Sequence, residues 1–247
     1  MAASQLTGRV ALITGAGRGI GRATALALAQ AGADVAVVAR SSAELEQTAA
    51  LVQAQHRRSA AVVCDVGSHQ AVRDVTARVQ QLLGAINVLV NNAAVLEPLG
   101  PSATIDPQAW AQGLNINLTG AFRCIQAVLA GMLERGWGRI VNVTAGMPPT
   151  GLPHASAYSV SKAGLDMLTR HLGAELVGRG VTVNSVWPGA VKTRMLAAFR
   201  TSRGAGWRST DLNPAEPARL IARLVASDRT GEIVDLHGPG GRQLLES

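Results

Sequence analysis

The chain's only tyrosine, Tyr158, stands four residues before Lys162, and Lys162 and Lys192 are its only lysines among 23 basic residues. Their segment has helical periodicity, so this spacing puts the phenol and the ammonium on one helix face. An ammonium beside a phenol is expected to lower its pKa from about 10 toward neutrality, making it a proton donor and acceptor for a carbonyl or an alcohol. A compact point charge suits that task, and it stands out where the chain otherwise uses guanidinium groups.

A second set of residues offers a place for phosphate. In "TGAGRGIGRA", Thr14, Gly15, Gly17, Gly19 and Gly21 fall between an apolar run and a helical one. Small residues allow a tight turn, and the N–H groups opening the helix can approach a pyrophosphate whose charge the helix dipole favours. The pattern is T-G-x-x-x-G-x-G, because Ile20 stands where G-x-G-x-x-G would need its third glycine. At the end of the second apolar run, Ala39, Arg40 and Ser41 occupy the place where a carboxylate would bind the ribose diol of NAD. Arg40, with Arg18 from the turn, offers two guanidinium groups to a 2′-phosphate, which predicts NADP(H) over NAD(H).

These groups need a scaffold. Strand-like runs at 9–15, 34–40, 59–65, 86–92, 138–144, 180–189 and 231–238 alternate with helical patterns at 20–33, 41–55, 68–84, 107–135, 156–180 and 213–228. Repeated strand and helix units with continuous apolar strands predict an α/β fold with a parallel sheet covered on both faces. No linker or repeat interrupts them, so residues 1–247 are read as a single domain. Residues 189–212 follow no regular pattern. They carry Met195, Leu196, Phe199 and Trp207 among arginines at 194, 200, 203 and 208, with Gly204 and Gly206. Lying beyond a strand's carboxyl end, they are read as a substrate lid, and the arginines would suit an acidic substrate or an acyl-carrier partner.

The formal charge is +7, but the basic residues are scattered and aromatics are only 3%. Nucleic-acid binding would want a clustered stripe with aromatics, so it is not expected. The apolar runs fall short of the roughly 20 residues that span a bilayer, and the N-terminus lacks a basic stretch ahead of a long apolar one. Cys64 and Cys124 have neither metal-ligand nor disulfide-framework spacing. The expectation is a cytoplasmic chain without metal, membrane or nucleic acid.

Six motifs in order carry a resemblance: "TGAGRGIG", "CDV" at 64–66, "NNAA" at 91–94, "LNINLTG" with Asn117, "AYSVSK" and "PGAVKT" at 188–193. From about Thr7 to Gly240 the chain resembles the short-chain dehydrogenase/reductase family. The resemblance implies a single Rossmann-like, doubly wound domain with a seven-stranded parallel sheet flanked by helices. It also implies a homodimer or homotetramer with the helices at 107–135 and 156–178 in its interfaces. The implied activity is hydride transfer between NADP(H) and a small-molecule carbonyl or secondary alcohol, as in carbonyl and 3-oxoacyl reductases. Tyr158 would be the general acid/base, Lys162 would bind the nicotinamide ribose and tune Tyr158, and Asn117 would help hold a proton-relay water. Asp65 and Val66 would border the adenine, Asn91 would steady the strand beside the cofactor, and Thr193 would contact the carboxamide. Ala93, Pro188, Gly189 and Val191 complete the implied cofactor-binding set.

The chain departs from the family at one place. A serine that bonds the substrate oxygen belongs 13 residues before the tyrosine, and Ala145 stands there. Thr144 could replace it only if a bulge turned its side chain to the other face, and Ser156, two residues before Tyr158, should not share its face. Losing one such donor typically costs about 10² to 10³ in rate, so the alternative reading is an NADP(H)-binding sensor or assembly subunit whose chemistry is weakened or lost.

Overall fold

The structure, a computed structural model, describes residues 5–146, 152–203 and 211–246. Among them, strands β1 (Val10–Thr14), β2 (Asp34–Ala39), β3 (Ser59–Val63), β4 (Ile86–Asn91), β5 (Gly138–Val143), β6 (Val181–Trp187) and β7 (Ile233–Asp235) form one sheet. The order is β3-β2-β1-β4-β5-β6-β7 and every pairing is parallel. Alternate side chains explain why the strands read as continuous apolar runs. Ala11 and Ile13 of β1 enter one core and Val10 and Leu12 the other, because the sheet is covered on both faces.

The helices are α1 (Gly19–Gln30), α2 (Ser42–Gln53), α3 (His69–Leu83), α4 (Pro107–Leu114), α5 (Gly120–Glu134), α6 (Ser156–Glu175), α7 (Arg194–Arg203), α8 (Ala215–Val225) and α9 (Pro239–Glu246). One face is packed by Leu28 of α1, Leu45 of α2, and Leu220 and Leu224 of α8. The other takes Val75 and Val79 of α3, Ile125 and Met132 of α5, and Leu172 of α6. Polar residues set several starts. Ser68 Oγ accepts from Ala71 N at 3.3 Å, and Asp106 accepts from Gln108 N and Ala109 N ahead of Pro107. At α8 the Asn213 side chain accepts from Ala215 N while Glu216 accepts from Asn213 N, a reciprocal cap.

Three elements differ from the sequence expectation. The helical pattern at 107–135 is α4 and α5 joined by a π-turn, Asn115–Thr119. Residues 189–212, expected to be irregular, hold α7. The base of that excursion is closed where Val191 bridges Leu212, with Lys192 N donating to Leu212 O and Leu212 N to Ala190 O. Gly204, Gly206, Trp207 and Arg208 of the expected lid lie outside the described residues. Helix α9 opens on Pro-Gly-Gly, a composition that hides a helix in sequence, and is held by the buried Leu244.

The helical run Pro107–Glu134 is, by length and mean composition, long and apolar enough to cross a membrane, although Gln108, Gln112, Asn115, Asn117, Arg123 and Gln126 interrupt its apolar residues. Here it packs on α3, α6, β4 and β5 and carries the buried Asn117.

In this strand order, β1 and β4 are neighbours whose following connections leave in opposite directions. A crevice opens beyond their carboxyl ends, and that is where an open α/β sheet takes its ligand.

Candidate active site

Thr14 ends β1 and organises the crevice floor. Its Oγ1 donates to Val90 O and accepts from Asn92 N and Ala93 N, both at 3.0 Å. Asn92 then reaches back, donating from Nδ2 to Thr14 O and Gly15 O. This tie locks the glycine turn to the end of β4. A Cβ on Gly21 would lie 2.3 Å from Gly15 O and 2.6 Å from Asn92 Nδ2, so only glycine permits the packing. Gly15 and Gly19 have φ of +65° and +57°, a region glycine enters freely. Thr193 lies against Gly19 and caps α7, its Oγ1 accepting from Leu196 N at 3.2 Å.

The turn fits a dinucleotide phosphate. Like α2 and α6, α1 has no side-chain cap, and its N-cap Arg18 is extended. The first N–H groups of α1 are therefore left for an outside acceptor. Asp65 is exposed, its Oδ1 accepting from Gly67 N, and Val66 is buried beside Gly120.

Of the two cations expected beside a 2′-phosphate, one has a partner within the chain. Arg40 is exposed and has no ion pair among the described residues. Arg18 instead donates to Glu44 at 2.9 and 3.1 Å, and Arg194 donates to the same carboxylate at 2.7 Å. Glu44 was not singled out in the sequence, although its place as the only acid in the first turn of α2 was visible. Arg200 pairs with Asp211. The two lid arginines whose pairing is described thus already have partners within the chain.

Tyr158 and Lys162 lie on α6 with the ammonium 5.7 Å from the phenol ring centroid. Lys162 is buried and donates from Nζ to Val143 O at 2.7 Å, leaving two ammonium protons with no partner among the described residues. Burial lowers its pKa to about 8, against an opposing pull from the Asp166 carboxylate. Asp166, one turn further along α6, is itself buried and accepts from Trp187 Nε1 at 2.8 Å. Burial pushes the Tyr158 phenol up to about 12. That is the opposite of the expected lowering: the ammonium lies over the ring and bonds β5, so desolvation wins. The phenol is held protonated, the form that donates.

Asn117 is buried in the π-turn. Its Oδ1 accepts from Val95 N, and its Nδ2 donates to Val95 O and to Ser161 Oγ. Ser161 in turn donates to Tyr158 O at 2.7 Å. The side chain therefore brackets the loop after β4 against α6. Both of its amide protons are engaged, and Oδ1, accepting one bond, keeps a second lone pair. Asn91 donates to Asn142 Oδ1 at 2.9 Å, and Asn142 to Thr169 Oγ1, a buried polar line from β4 through β5 to α6.

At the end of β5, Ala145 is half-buried and offers no hydroxyl. Thr144 N continues the ladder to Val186 O at 2.9 Å, so no bulge turns the strand. Thr144 is buried and its Oγ1 lies 3.4 Å from the same carbonyl. Ser156 Oγ accepts from Trp110 Nε1 at 3.2 Å.

A family profile described as short chain dehydrogenase matches residues 9–204. The chain belongs to the short-chain dehydrogenase/reductase family. It is similar to 3-oxoacyl-(acyl-carrier-protein) reductase FabG of Pseudomonas aeruginosa, 38% identical over 241 residues that cover 94% of this chain and 97% of FabG. An actinorhodin polyketide ketoreductase variant crystallised with NADPH superposes with TM-score 0.87 at 35% identity, covering 97% of this chain and 99% of that one. A xylitol dehydrogenase crystallised with NAD+ superposes with TM-score 0.88 at 29% identity, covering 94% and 99%. Relatives of this family thus hold either dinucleotide on this fold.

The Lys162 shift has a consequence for stability. Below pH about 8 the folded and unfolded chains both carry the charge, and the fold bears the full cost of burying it. Between about 8 and 10.5 the folded chain gives up the proton first, so this cost is relieved. Urea unfolding at about pH 7.5 and about pH 9.5 should show Lys162 contributing a rise of about 2 kcal/mol. In Lys162→Met that contribution should be missing; an unchanged pH dependence contradicts the assignment.

Proposed function

We propose that the chain is an NADP(H)-dependent carbonyl reductase with 3-oxoacyl thioesters as its substrate class. The observation that carries this reading is the meeting of Tyr158, Lys162 and Asn117 at the carboxyl ends of β4 and β5, in the sheet whose β1, paired with β4, runs into the glycine turn of α1. Likeness to FabG and to the actinorhodin ketoreductase supports the substrate class.

When bound, the nicotinamide supplies a hydride to the carbonyl carbon. Tyr158 donates its phenolic proton to the carbonyl oxygen, and Lys162, with two ammonium protons to spare, holds the ribose and compensates the developing phenolate. Thr14, Gly15, Gly17, Gly19, Ile20 and Gly21 bind the pyrophosphate side. Arg18, Arg40 and Ser41 face the adenosine 2′ position, Asp65 and Val66 border the adenine, and Asn91 and Ala93 flank the central part. Pro188, Gly189, Val191 and Thr193 take the nicotinamide end. Exposed Phe122 on α5 and exposed Val160 and Met167 on α6 support a homodimer or homotetramer joined through these helices. NADPH consumption with an N-acetylcysteamine 3-oxoacyl thioester tests the reading: steady turnover above the rate with NADH supports it, and no turnover with any carbonyl of a broad panel rejects it.

Ala145 favours a second reading, a chain that binds NADP(H) as a sensor or assembly subunit and turns over little. Restoring the hydroxyl separates the two.

A further inference from the structure

We propose that Glu44 is a specificity-determining residue that works against NADP(H), an internal anion standing where a 2′-phosphate would be received. The inference rests on reading the glycine turn as a dinucleotide site. Three observations converge on it. Arg18, the cation of the turn, spends its guanidinium on Glu44 at 2.9 and 3.1 Å, and Arg194 reaches the same carboxylate from α7 at 2.7 Å. The carboxylate is well covered, with its side chain 19% exposed against 52% and 71% for the two arginines. Glu44 is also pressed onto the turn, where a Cβ on Gly17 would lie 2.9 Å from Glu44 Cβ.

The consequence follows from charge. A 2′-phosphate entering beside Arg18 either displaces Glu44 or sits next to a like charge, and both weaken its binding. A ribose diol carries no charge and escapes this penalty. Arg40, exposed and without an ion pair among the described residues, keeps NADP(H) bound at all. Glu44 therefore narrows the gap between the two dinucleotides, and its bond to Arg194 ties α7 to the start of α2.

Calorimetric titration of Glu44→Gln and the unaltered protein with NADPH, NADH, 2′,5′-ADP and 5′-AMP tests the proposal. Glutamine keeps the volume and removes the charge. NADPH and 2′,5′-ADP should bind about tenfold more tightly to the variant, while NADH and 5′-AMP change less than about twofold. The unchanged 5′-AMP affinity reports that the site is intact. An equal change for both dinucleotides, no change, or weaker NADPH binding overturns the role of Glu44 and leaves the dinucleotide site standing. Failure of the unaltered protein to bind either dinucleotide overturns both.

Discussion

Tyr158→Phe is expected to lower kcat for 3-oxoacyl reduction by about 10³, the usual worth of a positioned general acid. The change removes one oxygen and little else. The Tyr158 hydroxyl takes part in no hydrogen bond among the described residues, so its loss leaves no buried partner unsatisfied and stability should stay within about 0.5 kcal/mol. The ring that faces Lys162 is kept, so NADPH should bind the variant within a few-fold of the original affinity. No other side chain can substitute as the phenol, since the chain has a single tyrosine. Steady-state kinetics together with direct NADPH titration separates these effects. Undiminished turnover in the variant would remove Tyr158 from the reaction.

Ala145→Ser is expected to raise kcat by about 10 to 10². Among the described residues the proposed donor to the substrate oxygen is the Tyr158 phenol; the hydroxyl of Thr144 is turned to Val186 O, and Ser156, which accepts from Trp110, is not expected on the Tyr158 face. A second positioned donor is typically worth about 10² to 10³. The smaller figure allows for a substrate hydroxyl or water that partly fills the role in the parent protein. Ala145 is half-buried at the open end of β5, so a hydroxyl fits without repacking the core. A gain in kcat with an unchanged affinity for NADPH marks the alanine as the weak point. No gain in a protein that already turns over well would mean that the substrate brings its own donor. A gain from a baseline near zero favours the sensor or subunit reading for the parent chain.

Much of this architecture is legible from residue pattern. Buried parallel strands leave uninterrupted apolar runs, and their alternation with helical stretches gives the seven-stranded sheet and its order of elements. The glycine turn and the Tyr158/Lys162 pair are local in sequence, so their geometry follows from a turn and one helix face. What escaped is non-local or masked by composition. Glu44 meets Arg194 across 150 residues of chain, and no spacing rule connects them. Asp166 was not singled out because its role beside Lys162 depends on Trp187 from another strand. The expected lowering of the Tyr158 pKa rests on proximity alone, whereas burial of the phenol raises it. The π-turn at Asn117 hides inside an ordinary helical pattern because widening one turn leaves the apolar periodicity on both sides intact.

The most direct test is transfer of label. NADPH deuterated at the reactive C4 position, mixed in single turnover with the 3-oxoacyl thioester, should deliver deuterium to the carbinol carbon of the product. The rate of that transfer should fall by about 10³ in Tyr158→Phe. Tight NADPH binding with no deuterium in the product, in both the parent chain and Ala145→Ser, would contradict the account.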